Sequence, residues 1–225
     1  MAISFNDIKC SEKIRELVDY SNKCLEVIGY TDHGPRHVGY VSRIAGEILA
    51  KLNMPERRVE LAKIAGWVHD VGNLVNRKNH GHNGAVILFP ILSDMGFPVS
   101  EVCDICAAVG SHEEETGHPV SDVSAALIIA DKVDAHRARV RLKKYDASDI
   151  HDRVNYAIQA TKLTVENNTI SIYYTMDPIA SPMDFLQIYL SRMQMCEKSA
   201  KFLGCRFALY INDVKLNRWE EGSAV

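Results

Sequence analysis

The sequence predicts a mainly α protein, a helical bundle followed by a small α+β extension built from a hairpin, a helix and a strand. Three observations predict it. Six segments in the first two-thirds of the chain place apolar residues at i, i+3, i+4 and i+7, the repeat of an amphipathic helix. After about residue 148 that repeat gives way to a stretch rich in β-branched and aromatic residues, TISIYYTM, which suits a strand. A further helical segment opened by Ser181-Pro182 then precedes one last apolar run. At 225 residues, with 47% hydrophobic and 24% charged residues, the chain can build a sizeable core in one or two domains, and its composition argues against disorder.

The elements follow in order. Over residues 11–28, Ile14, Leu17, Val18, Cys24, Leu25 and Ile28 share one helical face, and Gly29 is a natural stop. Thr31 or Asp32 can cap a second helix, on which His37, Val41, Ile44, Ala45, Ile48 and Leu52 line up. Pro55 suits the first turn of a third, which runs through Leu61, Ile64, Ala65 and Val68 to His69 and Asp70 before Gly72 breaks it. Asn79 can cap a fourth, which Pro90 should kink or split. Ser100 can cap a fifth, aligning Val102, Ile105, Val109 and His112, and Ser121 or Asp122 can start a sixth, aligning Val123, Leu127, Ile128 and Asp131. Residues 153–165 and 169–176 read as a hairpin turned by Glu166, Asn167 and Asn168. The helix opened by Ser181-Pro182 closes at Gly204, a strand spans residues 205–211, and a short strand follows Asn212-Asp213. These elements divide the chain into a helical domain, residues 1–148, and an α+β extension, residues 149–225, that would support dimerisation or close a pocket.

Composition excludes several function classes. The longest apolar run, residues 84–92, is nine residues, against roughly 20 for a membrane helix. The first residues, MAISFNDIKCSEK, lack the basic run and apolar core of a secretory signal, so a cytoplasmic location is expected and no membrane partner. A net charge of −3 denies the chain the global basic character that suits binding to a nucleic-acid polymer. The six cysteines are scattered, which speaks against a disulfide framework. Cys103 and Cys106 form a single CxxC on a helical repeat, where small core residues are the simpler reading.

One feature is uneven: all nine histidines lie between His33 and His151. A buried histidine or carboxylate requires satisfied partners, yet His37, His69, Asp70, His112 and Asp131 sit on or extend the apolar faces of separate helices. A metal centre inside a bundle is assembled from inward side chains of several facing helices, and this pattern points to one.

The local strings DHGPRHV, AGWVHDVGN, NHGHNGAVIL, AVGSHEE and ALIIADKVD resemble the HD superfamily of metal-dependent phosphohydrolases, whose pattern is H…HD…D on an all-helical domain. The resemblance covers roughly residues 30–140. It implies that His37, His69, Asp70 and Asp131 bind one metal, and that His80 and His112 match the extra histidines of two-metal members, in which the aspartate of the HD dipeptide bridges both ions. His80 is preferred to His82 because the spacing to Gly84-Ala85 recurs in those families. The implied cofactors are two divalent transition-metal ions, Fe, Mn, Co, Ni or Zn, as imidazole and carboxylate donors favour. The implied reaction is hydrolysis of a phosphate ester or anhydride of a small metabolite, a nucleotide or dinucleotide, by metal-bound hydroxide. Asp70 and Lys132 are the catalytic candidates, Lys132 matching a basic residue common in the superfamily. His33, Arg36, His82 and Arg137 are the substrate-binding candidates, with Arg139, Arg141, Lys143 and Lys144 extending a basic run and Arg77-Lys78 a second one. A small phosphorylated substrate and a homodimer are the expected partners. Two departures stand out: Asn73 replaces the lysine that many members carry in HDIGK, and the paired histidines and GYP of HD-GYP phosphodiesterases are absent. The same ligand order also resembles the HD-type mixed-valent diiron oxygenases, and a non-catalytic, metal-stabilised regulatory domain is a third reading.

Overall fold

A computed structural model describes residues 3–141 and 145–217. The chain is mainly α with a small C-terminal sheet. The elements run α1 (Phe5–Cys10), α2 (Glu12–Val27), α3 (Pro35–Lys51), α4 (Glu56–Val68), α5 (His80–Asp94), α6 (Val99–Gly110), α7 (Asp122–Val133), α8 (Ile150–Ala157), β1 (Ile158–Glu166), β2 (Thr169–Met176), α9 (Pro182–Phe202), β3 (Arg206–Ile211) and β4 (Val214–Lys215). None of the described helices is long and apolar enough to cross a membrane.

Helices α3, α4 and α7 pack on one another at the centre of the bundle, with α6 against α4 and α7 and α5 against α6. Val41, Ile44, Ile48, Leu61, Ile64, Val68, Leu127 and Ala130 are buried there. Close approach of α3 and α4 needs a glycine: a Cβ on Gly66 would lie 2.6 Å from the Ser42 Cα. The sheet order is β1-β2-β3-β4. β1 and β2 are antiparallel, β2 and β3 parallel, β3 and β4 antiparallel, so α9 is the crossover between the two parallel strands. It lies against α7 and β3, and Phe185, Tyr189, Met193 and Cys196 join the same continuous core as the bundle.

Several expected boundaries move. The segment at residues 150–157, expected to be partly extended, is helical; Asp149 caps it by accepting from the His151 N–H, and β1 begins only at Ile158. Pro90 neither splits nor ends α5, which is continuous. Pro90 and Val86 are exposed, so the carbonyl that loses its i+4 donor faces water, where the loss is cheap. Gly34, with Pro35 at N1, caps α3 in place of Thr31 or Asp32, and α6 starts at Val99 after Pro98, ahead of Ser100. Ser121 caps α7 and Ser181 caps α9 through bonds to Ser124 N and Asp184 N. Cys106 is buried and Cys103 exposed, both free.

Candidate metal centre

The junction after α4 sets the site. His69 still has helical backbone angles, and Asp70 then opens a single 3-10 turn, Val71–Leu74. This turn packs against the start of α5 through glycine: a Cβ on Gly72 would lie 1.9 Å from the His80 carbonyl oxygen. Asn79 takes left-handed angles before α5, with φ 59°, a conformation asparagine tolerates better than most residues. Asn73, at the position of the absent lysine, is buried and donates through Nδ2 to the Asp70 carbonyl at 2.9 Å and to Asp70 Oδ1 at 2.8 Å. It thereby orients the central carboxylate.

The six residues assigned as ligands converge. His37 Nε2 faces His69 Nε2 at 3.3 Å, and His80 Nε2 faces His112 Nε2 at 3.0 Å. Asp70 lies between the pairs: Oδ2 is 3.3 Å from His69 Nε2 and 3.5 Å from His37 Nε2, while Oδ1 is 3.5 Å from His80 Nε2. Asp131 Oδ1 sits 3.4 Å from His37 Nε2 and 3.6 Å from His69 Nε2. Ligand atoms of His37, His69 and Asp70, of His69, His112 and Asp131, and of Asp70, His80 and His112 fall into tight groups that could each hold an ion.

All four rings turn Nε2 inward because Nδ1 is engaged elsewhere. His37 Nδ1 donates to Asp134 Oδ2 at 2.7 Å, His69 to the Gly66 carbonyl at 3.0 Å, His80 to the Arg77 carbonyl at 3.0 Å and His112 to the Val109 carbonyl at 2.6 Å. Outer partners of this kind fix the tautomer of a metal-binding imidazole. Glu113 adds a second hold on His80, accepting from its backbone N–H at 2.9 Å.

This donor set fits divalent cations. Asp70 Oδ2 is buried with no hydrogen-bond partner among the described residues, and facing imidazole lone pairs 3.0 and 3.3 Å apart repel unless something positive lies between them. Charge compensation in the cluster falls otherwise to protons. Burial pulls the His69 pKa down, but Asp70 and Asp131 beside it prevail and raise it to about 10. Burial lowers His112 well below its ordinary value, helped by neighbouring His80 and His69. Asp70 and Asp131 stay ionised: burial works against them, but His69 beside Asp70 and Lys132 beside Asp131 outweigh it. A bound cation replaces the proton that such a site would otherwise hold.

A cavity of about 820 Å³ opens onto Asp70, His80 and Asp131. Lys132 lines it with its Nζ 2.6 Å from Asp131 Oδ2. Of the four substrate-binding candidates, only His33 lines this cavity. His33 donates through Nδ1 to the Thr31 carbonyl and accepts at Nε2 from Arg139 Nη2 at 2.8 Å, and burial with that guanidinium pushes its pKa well down. Arg36 instead turns to Asp134, with Nη2 2.7 Å from Oδ2. Arg137 pairs with Asp177 at 2.8 Å, and His82 is 60% exposed; none of these three is on the cavity wall. The i, i+2 spacing that put His82 beside His80 in sequence turns it to the outside of α5. Arg139 lines the cavity, Arg141 bonds Asn22 Oδ1 at 2.7 Å, and Lys143 and Lys144 lie outside the described residues.

Sequence reasoning missed Asp134, Glu113, the hold of Asn73 on Asp70 and the cavity residues of the C-terminal part: Asp149, His151, Asp152 and Asn155 around α8, and Tyr189 and Arg192 on α9. Asp134 was legible only as the second acid of DKVD, and Glu113 as the neighbour of His112; the C-terminal residues carried no local signal.

The sequence model described as HD domain matches residues 36–136. Ten chains of solved structures match. Among them is a predicted HD superfamily hydrolase from an uncultured Thermotogales bacterium, 25% identical over 55% of this chain and 68% of that chain, with a TM-score of 0.43. None of the curated proteins matches.

Proposed function

From the premise that this chain carries an HD domain, the domain of a metal-dependent hydrolase family, we propose that it is a phosphohydrolase acting on a phosphate ester or anhydride of a small metabolite, a nucleotide or dinucleotide. One observation carries this reading: the two oxygens of Asp70 are aimed at different histidine sets, Oδ2 at His37 and His69 and Oδ1 at His80, as a carboxylate shared by two ions requires. His37, His69, Asp70 and Asp131 would hold one ion, and Asp70, His80 and His112 the other. When bound, such a pair lowers the pKa of water and screens phosphoryl oxygens.

The chain's own residues do the rest. Asp134 and Asn73 hold His37 and Asp70 in place. Lys132, buried against Asp131, adds positive charge to the wall where a phosphoryl group enters. His33 stays neutral, and with Arg139 it forms a fixed rim. Around α8 and on α9, Asp149, His151, Asp152, Asn155, Tyr189 and Arg192 supply part of the cavity wall.

The test loads the purified protein with Mn, Co or Fe and measures phosphate release from p-nitrophenyl phosphate, nucleotides and dinucleotides. The expected result is metal-dependent release, abolished by a chelator and unchanged without oxygen. Oxygen uptake that requires reduced iron, with no phosphate released from any compound, overturns the proposal in favour of an oxygenase.

A further inference from the structure

Resting on the reading of a phosphorylated substrate, we infer that Arg192 is a specificity-determining residue that binds an anionic oxygen pair of the substrate, a phosphate or phosphonate group, from outside the HD domain. It stands on α9, well beyond residues 36–136, and lines the cavity that opens onto Asp70 and Asp131.

The other cations of the cavity are either committed or loose. Arg139 donates to His33 Nε2, to the Asp134 carbonyl at 2.9 Å and to the Asp32 carbonyl at 3.2 Å. Lys132 is held at 2.6 Å by Asp131. Arg77 lies over the Tyr30 ring, 5.3 Å from its centroid, with Nη1 3.4 Å from Asn73 Oδ1. Lys78 is exposed on a surface turn.

Arg192 combines a fixed position with a buried, unpartnered donor among the described residues. Its guanidinium lies over Tyr189 at 4.6 Å from the ring centroid. Tyr189 is itself immobilised, stacked on Phe185 at 4.7 Å and donating through its hydroxyl to Asn155 Oδ1 at 2.8 Å. Glu114 Oε1 makes an ion pair with Nε at 2.6 Å, yet the buried Nε has no hydrogen-bond partner among the described residues, so the guanidinium keeps donor capacity for an anion. A guanidinium fork held this way matches the oxygen pair of a phosphate, which a loose lysine ammonium cannot do bidentately.

The fork also sits at a defined end of the site. Glu114 lies 3.8 Å from Lys132 Nζ, and Lys132 reaches Asp131, so Arg192 belongs to the His37–His69–Asp131 side and Arg77 flanks His80 on the other. An anion bridging from Arg192 toward Asp70 would present its phosphoryl group to the centre. Glu114 acts as a placeholder that an incoming anion competes with for Arg192.

The experiment titrates inorganic phosphate by calorimetry into the full-length protein as purified, with metal content and melting temperature measured for every variant. Arg192→Met is expected to weaken phosphate binding about tenfold or more, the loss of a charge-assisted hydrogen bond, with metal content unchanged. Arg192→Lys falls between it and wild type, and Glu114→Gln binds phosphate more tightly than wild type. A purely structural Arg192–Glu114 pair predicts instead that Arg192→Met and Glu114→Gln both lower the melting temperature and leave the phosphate affinity alone; that result overturns the inference and leaves the hydrolase reading standing. Phosphate binding that depends on Arg192, in a protein that hydrolyses no phosphate compound, supports the anion site and defeats the hydrolase. Should Arg192→Met fail to fold, equal phosphate affinity in wild type, Arg192→Lys and Glu114→Gln refutes the inference. A wild-type protein that does not bind phosphate overturns it as well.

Discussion

Gly72→Ala should separate the two halves of the metal centre. The Cβ it adds would lie 1.9 Å from the His80 carbonyl oxygen and 2.4 Å from the Gly84 backbone nitrogen, where ordinary contact begins near 3.4 Å. Both obstacles are backbone, so no side chain can swing aside, and the start of α5 must retreat from the Asp70 turn by about 1.5 Å. A metal site tolerates ligand displacements of only about 0.2 Å. His80 rides on the displaced turn, whereas His37 and Asp131 belong to α3 and α7 and His69 caps the end of α4, helices whose packing the change leaves alone. The second ion should therefore bind at least about 100-fold more weakly, beyond the usual effect of losing an outer partner, while the first is retained. Overpacking should also lower stability by about 1–3 kcal/mol. Calorimetric metal titration of the folded variant, checked by circular dichroism, reads both effects. Gly84→Ala is the graded control, since its Cβ would meet the Val109 side chain at 3.1 Å, which can yield, and both ions should stay. Two ions bound to Gly72→Ala with wild-type affinity would refute the geometry argued for His80.

Three further outcomes follow from the same geometry. Asp134→Ala removes the acceptor of His37 Nδ1, and competition with a metal-sensitive dye should show the His37 ion weakened by about 10–100-fold while the His80 ion is unaffected. Gly66→Ala would set a Cβ 2.6 Å from the Ser42 Cα, prising α3 from α4; urea unfolding should show a loss of about 1–3 kcal/mol. Arg58 clamps α4 to α6 and α7 through Asp104 and Asp122. Burial pushes the Asp122 pKa up, but hydrogen bonds from Arg58 outweigh it and hold it below 3.8. A depressed carboxylate stabilises the fold above its unfolded pKa and loses that contribution as pH falls through the folded value. Urea midpoints should then fall more steeply below about pH 4 in wild type than in Arg58→Met, and parallel curves would remove Arg58 as the cause.

The candidate ligand set was legible because most of its residues violate the pattern of their own helices. His37 on an apolar stripe, His69-Asp70 at the end of Ile64, Ala65 and Val68, and Asp131 after ALIIA are all polar groups at positions that face inward, and the structure brings them together with His80 and His112. The helices were legible from the same repeat. What escaped depended on distance along the chain. Asp134 meets Arg36 and His37 across 98 and 97 residues, and nothing local separates it from a solvated acid near a helix end. α1 spans only six residues, too few for a repeat to register; its start is fixed by a capping box between Ser4 and Asp7. The second half of α8, residues 153–157, falls in the segment expected to be extended, 153–165. Its helix is settled by the Asp149 cap and by the Asn155–Tyr189 hydrogen bond to α9, a tertiary contact. Arg36, His82 and Arg137 were placed near the substrate by sequence proximity to the ligands, but Arg36 turns to Asp134, Arg137 to Asp177, and His82 to the outer face of α5.

Metal stoichiometry tests the central claim most directly. Elemental analysis of the purified wild-type chain, His80→Ala and Asp70→Ala, compared at equal protein concentration after removal of loosely bound ions, should give two transition-metal ions per wild-type chain. His80→Ala should keep one, through His37, His69, Asp70 and Asp131. Asp70→Ala should lose both, because its two oxygens serve both sides. A single ion in wild type, or two ions retained in either variant, would contradict a centre shared through Asp70.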